Sequence, residues 1–303
     1  MLSSQLIKPR RESLLGVACA VPAFLIWGFS PIYWKVLDRV PAFETLMHRV
    51  IWSFIFLLPF LISRSHRREI VAALTNRRTA FILLGTTFFV GSNWFVFIWA
   101  INHDFVLQAS LGYYITPLVN VLLGIVFLRE RLRNLQIAAV LLAGVGVFYL
   151  TLQYRQFPWV ALSLAFTFGF YGLIRKVAPV SSVAGLSVEM LYGSLPAGVY
   201  LLYLEAAGKA SLFHVSLKID IFLMGTALLT ALPLILFTLG TRRLHLSSVG
   251  ILQYIAPSCF FLLAIFLYHE PISRAQVWTF CLIWAALFIY SVDSILHYRR
   301  SVP

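Results

Sequence analysis

Three ionisable side chains, Glu44, His48 and Arg49, lie close together in an otherwise apolar stretch. Glu44 and His48 are four residues apart, so a helix sets them side by side on one face. Arg49 is turned from His48 by about 100° and needs a partner elsewhere. An imidazole titrates near neutrality, so this group is suited to carrying a proton or switching a gate. The competing reading is a fixed Glu–His–Arg network that holds helices together. Glu189 is a second carboxylate in apolar surroundings, where ionisable groups are costly and commonly functional, and it is the alternative candidate for proton coupling. Another set is suited to binding rather than proton transfer. Trp27, Tyr33, Asn93, Trp94, Tyr113, Tyr114, Asn120, Gln253 and Tyr254 combine aromatic faces with amides and hydroxyls. Small-molecule cavities pair apolar and aromatic walls with a few converging polar groups. Pro117 and Pro257 are expected to break their helices, freeing carbonyls near Tyr113 and Gln253 beside that cavity.

Plainer readings compete at several positions. Trp159 and Trp278 are read as interfacial belt residues, and Lys35 as snorkelling from a helix end. Glu130 and Glu270 are expected to cap or pair at loop ends, and Ala143, Gly144 and Gly146 to form a small-residue packing face. No HExxH, GxSxG or Walker A pattern occurs, and Cys19, Cys259 and Cys281 form no CxxC. An enzyme is therefore not expected, nor a metal, a cofactor or ATP hydrolysis by this chain.

The elements that hold these groups follow from composition. Of 303 residues 60% are hydrophobic and 12% charged. Soluble domains carry about 25% charged residues, so a water-soluble globule and a disordered chain are both excluded. Crossing the ~30 Å hydrocarbon layer takes about 20 apolar residues in a helix. Ten stretches qualify: 14–34, 41–62, 79–101, 105–128, 134–153, 157–174, 182–204, 219–240, 246–268 and 275–296. The expected fold is an all-α polytopic membrane protein with ten transmembrane helices. Of the 24 Lys+Arg, 17 fall in segments on the N-terminal side, 6 on the other, and Arg49 within a span. By the positive-inside rule both termini face the cytoplasm, residues 1–13 and 298–303 forming the tails. The net charge of +13 is thus assigned to orientation in the bilayer, with no nucleic-acid partner expected.

The chain also repeats itself. An offset of 140 places Leu83-x-Gly85-Thr86 on Leu223-x-Gly225-Thr226, Tyr114-Ile115-x-Pro117 on Tyr254-Ile255-x-Pro257, and Glu130 on Glu270. Upstream the offset is 141, which sets His48 opposite Glu189. Residues 14–153 and 154–297 are the two copies, and five spans in each is an odd number, so the second enters from the opposite side. Such inverted repeats recur among secondary transporters, with sites between the copies near the midplane. The expected partners are a small-molecule substrate, the bilayer and protons. A receptor or scaffold, and an intramembrane enzyme, are the rival functions; neither has its signature here.

Trp27-Gly28-x-x-Pro31-x-Tyr33-Trp34-Lys35 and Pro41-x-x-Glu44-x-x-x-His48-Arg49-x-x-Trp52-Ser53 resemble the RarD family. So do Asn93-Trp94, Ile98-Trp99-Ala100, Ser110-Leu111-Gly112-Tyr113-Tyr114-Ile115-x-Pro117-Leu118 and Gln253-Tyr254-Ile255-Ala256-Pro257. The resemblance runs from about Gly16 to Tyr290. It implies a bacterial inner-membrane permease of the drug/metabolite transporter superfamily, built of two EamA-type five-helix halves. That family is named for chloramphenicol sensitivity, and related members export amino acids and other metabolites. The resemblance therefore implies a class of function and not a ligand; the inverted repeat adds the expectation of alternating access, the halves rocking about a substrate bound between them.

Overall fold

The computed structural model describes residues 2–103, 105–153, 157–269 and 273–300. Twelve helices follow in chain order: α1 (Leu2–Trp34), α2 (Ala42–Leu57), α3 (Arg64–Thr75), α4 (Arg77–Asn102), α5 (Val106–Leu128), α6 (Asn134–Gln153), α7 (Trp159–Val177), α8 (Ser182–Ala206), α9 (Leu217–Arg243), α10 (Leu246–Gln253), α11 (Ile255–Phe266) and α12 (Arg274–Arg300). No strand occurs among the described residues. An apolar chain in lipid must satisfy its backbone within each segment, and helices do so without an edge. Several starts carry side-chain caps: Asn76 accepts from the Thr79 N–H, Ser181 from Ala184 and Ser216 from Ile219.

Nine helical stretches among the described residues are long and apolar enough to cross a membrane, which makes the chain a multi-pass membrane protein. They coincide with nine of the ten expected spans. The tenth expected span, 182–204, is α8, a helix of 25 residues whose Ser182, Ser187, Glu189 and Ser194 lower its hydropathy, and it is not among the nine. The first span begins earlier than expected, because α1 is already helical from Leu2 and takes in most of the segment read as a tail. At the other end, 298–300 continue α12, while 301–303 and Glu270 lie outside the described residues.

The two proline expectations come apart. The 246–268 stretch is two helices meeting at Tyr254, with Pro257 in the first turn of α11, where its missing N–H costs no helical bond. Pro117, by contrast, sits inside a continuous α5, which corrects the expected break there. Gly250 of α10 crosses so near that a Cβ on it would lie 2.5 Å from the Pro117 carbonyl oxygen. α5 packs on α7 and α10, and stays helical through the bond that Pro117 cannot make. The small-residue face is corrected too. Ala143 is buried and Gly146 approaches Leu282 and Thr279, but nothing lies within 4 Å of a Cβ on Gly144.

The helix pairing has the exchange symmetry of a duplicated unit. α1 packs on α9 as its counterpart α7 packs on α4, and α7 packs on α5 as α1 packs on α11. α2 meets α8, α5 meets α10, and α6 meets α12. The dominant pairings thus run between the repeats. They interleave rather than stand as two lobes, so sequence halves cannot rock as separate bodies.

α3 lies in a segment that reads as a charged loop. It buries Ile70 and Ala73 with Val180, Ala184 and Val188, while Glu69 accepts from the Ser181 N–H (2.5 Å) and hydroxyl (2.7 Å). Glu130 makes the matching contact at α10, accepting from Leu246 N–H (2.6 Å), Ser247 N–H (2.9 Å) and Ser247 Oγ (2.7 Å). Each acid stabilises a helix N-terminus by satisfying orphan donors where the helix dipole favours negative charge.

Candidate functional site

α2 starts after Pro41 and carries the three ionisable residues down its length. Glu44, in the first turn, is fully buried and accepts from the Ser211 N–H (2.6 Å) and Ser211 Oγ (2.8 Å). His48 is buried one turn on, its Nε2 3.7 Å from Glu44 Oε1. That distance is beyond a hydrogen bond. Neither imidazole nitrogen has a hydrogen-bond partner among the described residues.

Arg49 takes the next face, the eighth of the 16 residues of α2. Its Nε donates to Thr230 Oγ1 of α9 (3.1 Å). The guanidinium carbon stands 4.9 Å from the ring centroids of both Trp34 and Trp94, within cation–π range of each. Tyr113 of α5 is in electrostatic reach. Among the described residues no carboxylate pairs with Arg49. The cluster draws Trp34, Arg49 and Trp94 from the first repeat and Thr230 from the second, while the Tyr113 ring packs on Phe97 and Phe260.

A groove of about 490 Å³ runs alongside between α2, α4 and α8. Met47, Val50, Val90 and Gly193 line it, Trp94 is its shared wall with the Arg49 cluster, and Glu189 reaches its edge. Its walls are almost wholly apolar.

Glu189 is fully buried and fully engaged. Thr86 Oγ1 donates to Oε1 (2.6 Å), the Tyr171 hydroxyl to Oε2 (3.3 Å), and Arg175 Nε stands 3.4 Å from Oε1. Arg175, which counts as a cytoplasmic loop charge in the sequence, is likewise fully buried, and its Nη2 donates to the carbonyls of Ser181 and Ser182. Gly185 makes room for it: a Cβ there would fall 2.0 Å from Arg175 Nη1.

The remaining expected cavity residues are tied elsewhere. Asn120 donates to Gln253 Oε1 (2.6 Å) and the Tyr254 hydroxyl to the Tyr114 carbonyl (3.2 Å), both at the α5–α10 crossing. Tyr114 also meets Phe280 edge to face. Asn93 donates to Leu164 O (2.8 Å) and Thr167 Oγ1 (3.0 Å) of α7. Trp27 packs among Phe24, Phe168 and Phe237 in the core, and the Tyr33 hydroxyl donates to Phe222 O (2.6 Å). Of the nine expected cavity residues, Trp94 is thus the one in contact with Arg49. Trp34 and Thr230 complete the cluster without having been singled out for binding. Lys35 lies over the Tyr268 ring at 4.3 Å. Among the described residues no group of His, Cys, Asp and Glu could hold a metal ion.

Known proteins share this architecture. The model of the EamA-like transporter family matches residues 14–152. Uncharacterized transporter YojE of Bacillus subtilis is 43% identical over 96% of this chain and 98% of its own. Protein RarD of Escherichia coli is 38% identical, covering 96% of this chain and 98% of that one. Chloramphenicol-sensitive protein RarD of Pseudomonas aeruginosa is 30% identical over 94% of this chain and 96% of its own. A solved crystal structure matches with a TM-score of 0.71 at 17% identity, over 97% of this chain and 99% of that one, a likeness of fold.

Proposed function

The chain belongs to the RarD family of EamA-like transporters, and we propose that it is a secondary transporter that exports small metabolites or drugs across the bacterial inner membrane by alternating access. The observation that carries this reading is the Arg49 cluster. A cation midway along a helix, flanked by Trp34 and Trp94 and bonded to Thr230 of the other repeat, fits a site between repeats. Ionisable groups within a bilayer face cavities or partners. Because the repeats interleave, the moving bodies are bundles that mix helices from both copies. In this reading α8 is the tenth span and both termini are cytoplasmic, so the N-terminal end of α2 is on the outer side.

Glu44 and His48 are the coupling pair in this scheme. Their 3.7 Å separation, with the imidazole otherwise unbonded, lets a proton on His48 create an ion pair and its loss dissolve one. Inside-out vesicles containing the overproduced protein provide the test. They are offered pooled amino acids, small metabolites and chloramphenicol, with and without an imposed pH gradient. Accumulation of one pool that collapses with the gradient, and disappears in His48→Ala, is the expected result. Gradient-independent equilibration in both proteins would replace coupled export with facilitated diffusion and leave Glu44 and His48 as a structural pair.

A further inference from the structure

A guanidinium presents five N–H donors in a planar fork. In Arg49 the Nε–H goes to Thr230, and Trp34 and Trp94 hold the group by ring contacts at 4.9 Å. Among the described residues Nη1 and Nη2 bond to nothing. The Nη1–Nη2 edge is the one that matches a carboxylate bidentately. The group is therefore oriented by three neighbours and left with its charge and its recognition edge open. Arg175 differs in having a countercharge: it is fully buried with a carboxylate at 3.4 Å and two carbonyls at Nη2, although its Nη1 also lacks a hydrogen-bond partner.

We propose that Arg49 is the anion anchor of the substrate site and that the substrate is a monocarboxylate with an apolar or aromatic body. The proposal rests on the transporter reading above and names the class of solute moved. One cation in the cluster matches one negative charge, whereas a phosphate dianion would bring an uncompensated charge into a poorly solvated site. The body has its place in the groove of about 490 Å³ that shares Trp94 with the cluster and is walled by Met47, Val50 and Val90. A flat ring beside Trp94 gains an aromatic contact as well as burial.

The test uses purified full-length protein and three carboxylates, benzoate, indole-3-acetate and hexanoate, each beside its neutral amide. Tryptophan emission is the binding readout, since Trp34 and Trp94 flank the anchor. At least one carboxylate is expected to shift emission saturably while its amide does not. Arg49→Gln is expected to weaken that binding at least tenfold. Arg49→Lys keeps the charge without the fork and should weaken it by less; it also serves should the glutamine variant fail to elute as a folded species. Proteoliposomes loaded with the same six compounds give the flux. Carboxylate efflux that Arg49→Gln removes supports both readings. Efflux of amides without carboxylates overturns the proposal and leaves transport standing. Arg49-dependent binding without efflux of any compound supports the anion site and overturns transport. Failure of all three carboxylates to bind the folded protein overturns the proposal.

Discussion

α2 and α8 are counterparts in the repeat and pack against each other, yet they handle charge in opposite ways. In α8, Glu189 receives Thr86 and Tyr171 hydroxyls and an arginine, and the whole set is sealed from solvent. In α2, Arg49 has one hydroxyl, two aromatic faces and an open edge. Both groups lie within helices where an ionised side chain is expensive. The α8 group has been neutralised by its own protein, and the α2 group has not. Duplication supplied one scaffold twice; the two copies then diverged into a structural tie and a receptive group. A buried charge paired with an opposite charge of its own protein reads as stability, and an oriented but unpaired one as function.

The sharpest way to break this contrast is Arg175→Met. Removing one partner of a buried pair leaves the other charge uncompensated, at a cost of about 3–5 kcal/mol. Thermal unfolding in detergent should show the largest fall in Tm of any single substitution discussed here. Adding Glu189→Leu should restore part of it, because two apolar groups of similar volume tolerate the site better than one orphaned carboxylate. A double variant no more stable than Arg175→Met alone would mean that the pair is not coupled, and the contrast with Arg49 would lose its basis.

Gly250→Ala measures what a close, closed crossing costs without any charge. Its Cβ would sit 2.5 Å from the Pro117 carbonyl oxygen and 3.1 Å from Asn120 Cβ, and a backbone oxygen does not yield as a flexible side chain does. Overpacking of this kind costs about 1–3 kcal/mol. Gly144→Ala, with nothing within 4 Å, is the matched control and should leave Tm unchanged or slightly raised. Equal effects at the two glycines would contradict the α5–α10 approach.

What the sequence reveals follows the reach of local information. Apolar length locates the helices, and Glu44, His48, Arg49 and Glu189 stand out as ionisable groups inside mostly apolar spans. Arg175 is concealed by its position: at the end of a span it has the signature of an orientation-setting charge, and only the third dimension turns it inward. Gly185 is the trace it leaves, a missing side chain where the guanidinium passes. Thr230 leaves no trace, since Thr226 and Thr238 on the same helix look the same in sequence and donate to backbone carbonyls of their own helix. α3 escapes because a charge-rich segment of 12 residues reads as loop until Ile70 and Ala73 find α8. Pro117 and Pro257 occupy equivalent places in the repeat, and neighbouring helices decide which breaks.

Glu44→Gln probes the intermediate case, a buried acid held by one residue rather than by an opposite charge. The amide keeps one acceptor for Ser211, so the loss is confined to one bond and the charge that strengthens the other. About 1.5–2 kcal/mol is expected, at the lower end of the range for hydrogen bonds to charged groups. Hydrogen exchange should rise locally around 209–216 and not in α8. Protection lost equally in both regions would show that the acid supports the whole bundle.

Arg49→Gln should disturb stability least, and the magnitudes show why. The variant forfeits one hydrogen bond, net about 0.5–1.5 kcal/mol. It also forfeits two cation–π contacts of roughly 0.5–2 kcal/mol each where desolvated. Against this it removes a charge whose placement at a helix centre costs about 2.5–3.5 kcal/mol. The terms nearly cancel, so Tm should move by no more than a degree or two while carboxylate flux disappears. A Tm loss approaching that of Arg175→Met would make Arg49 one more structural tie, held by Thr230 and two tryptophans, and α2 would then carry its charge for the same reason as α8.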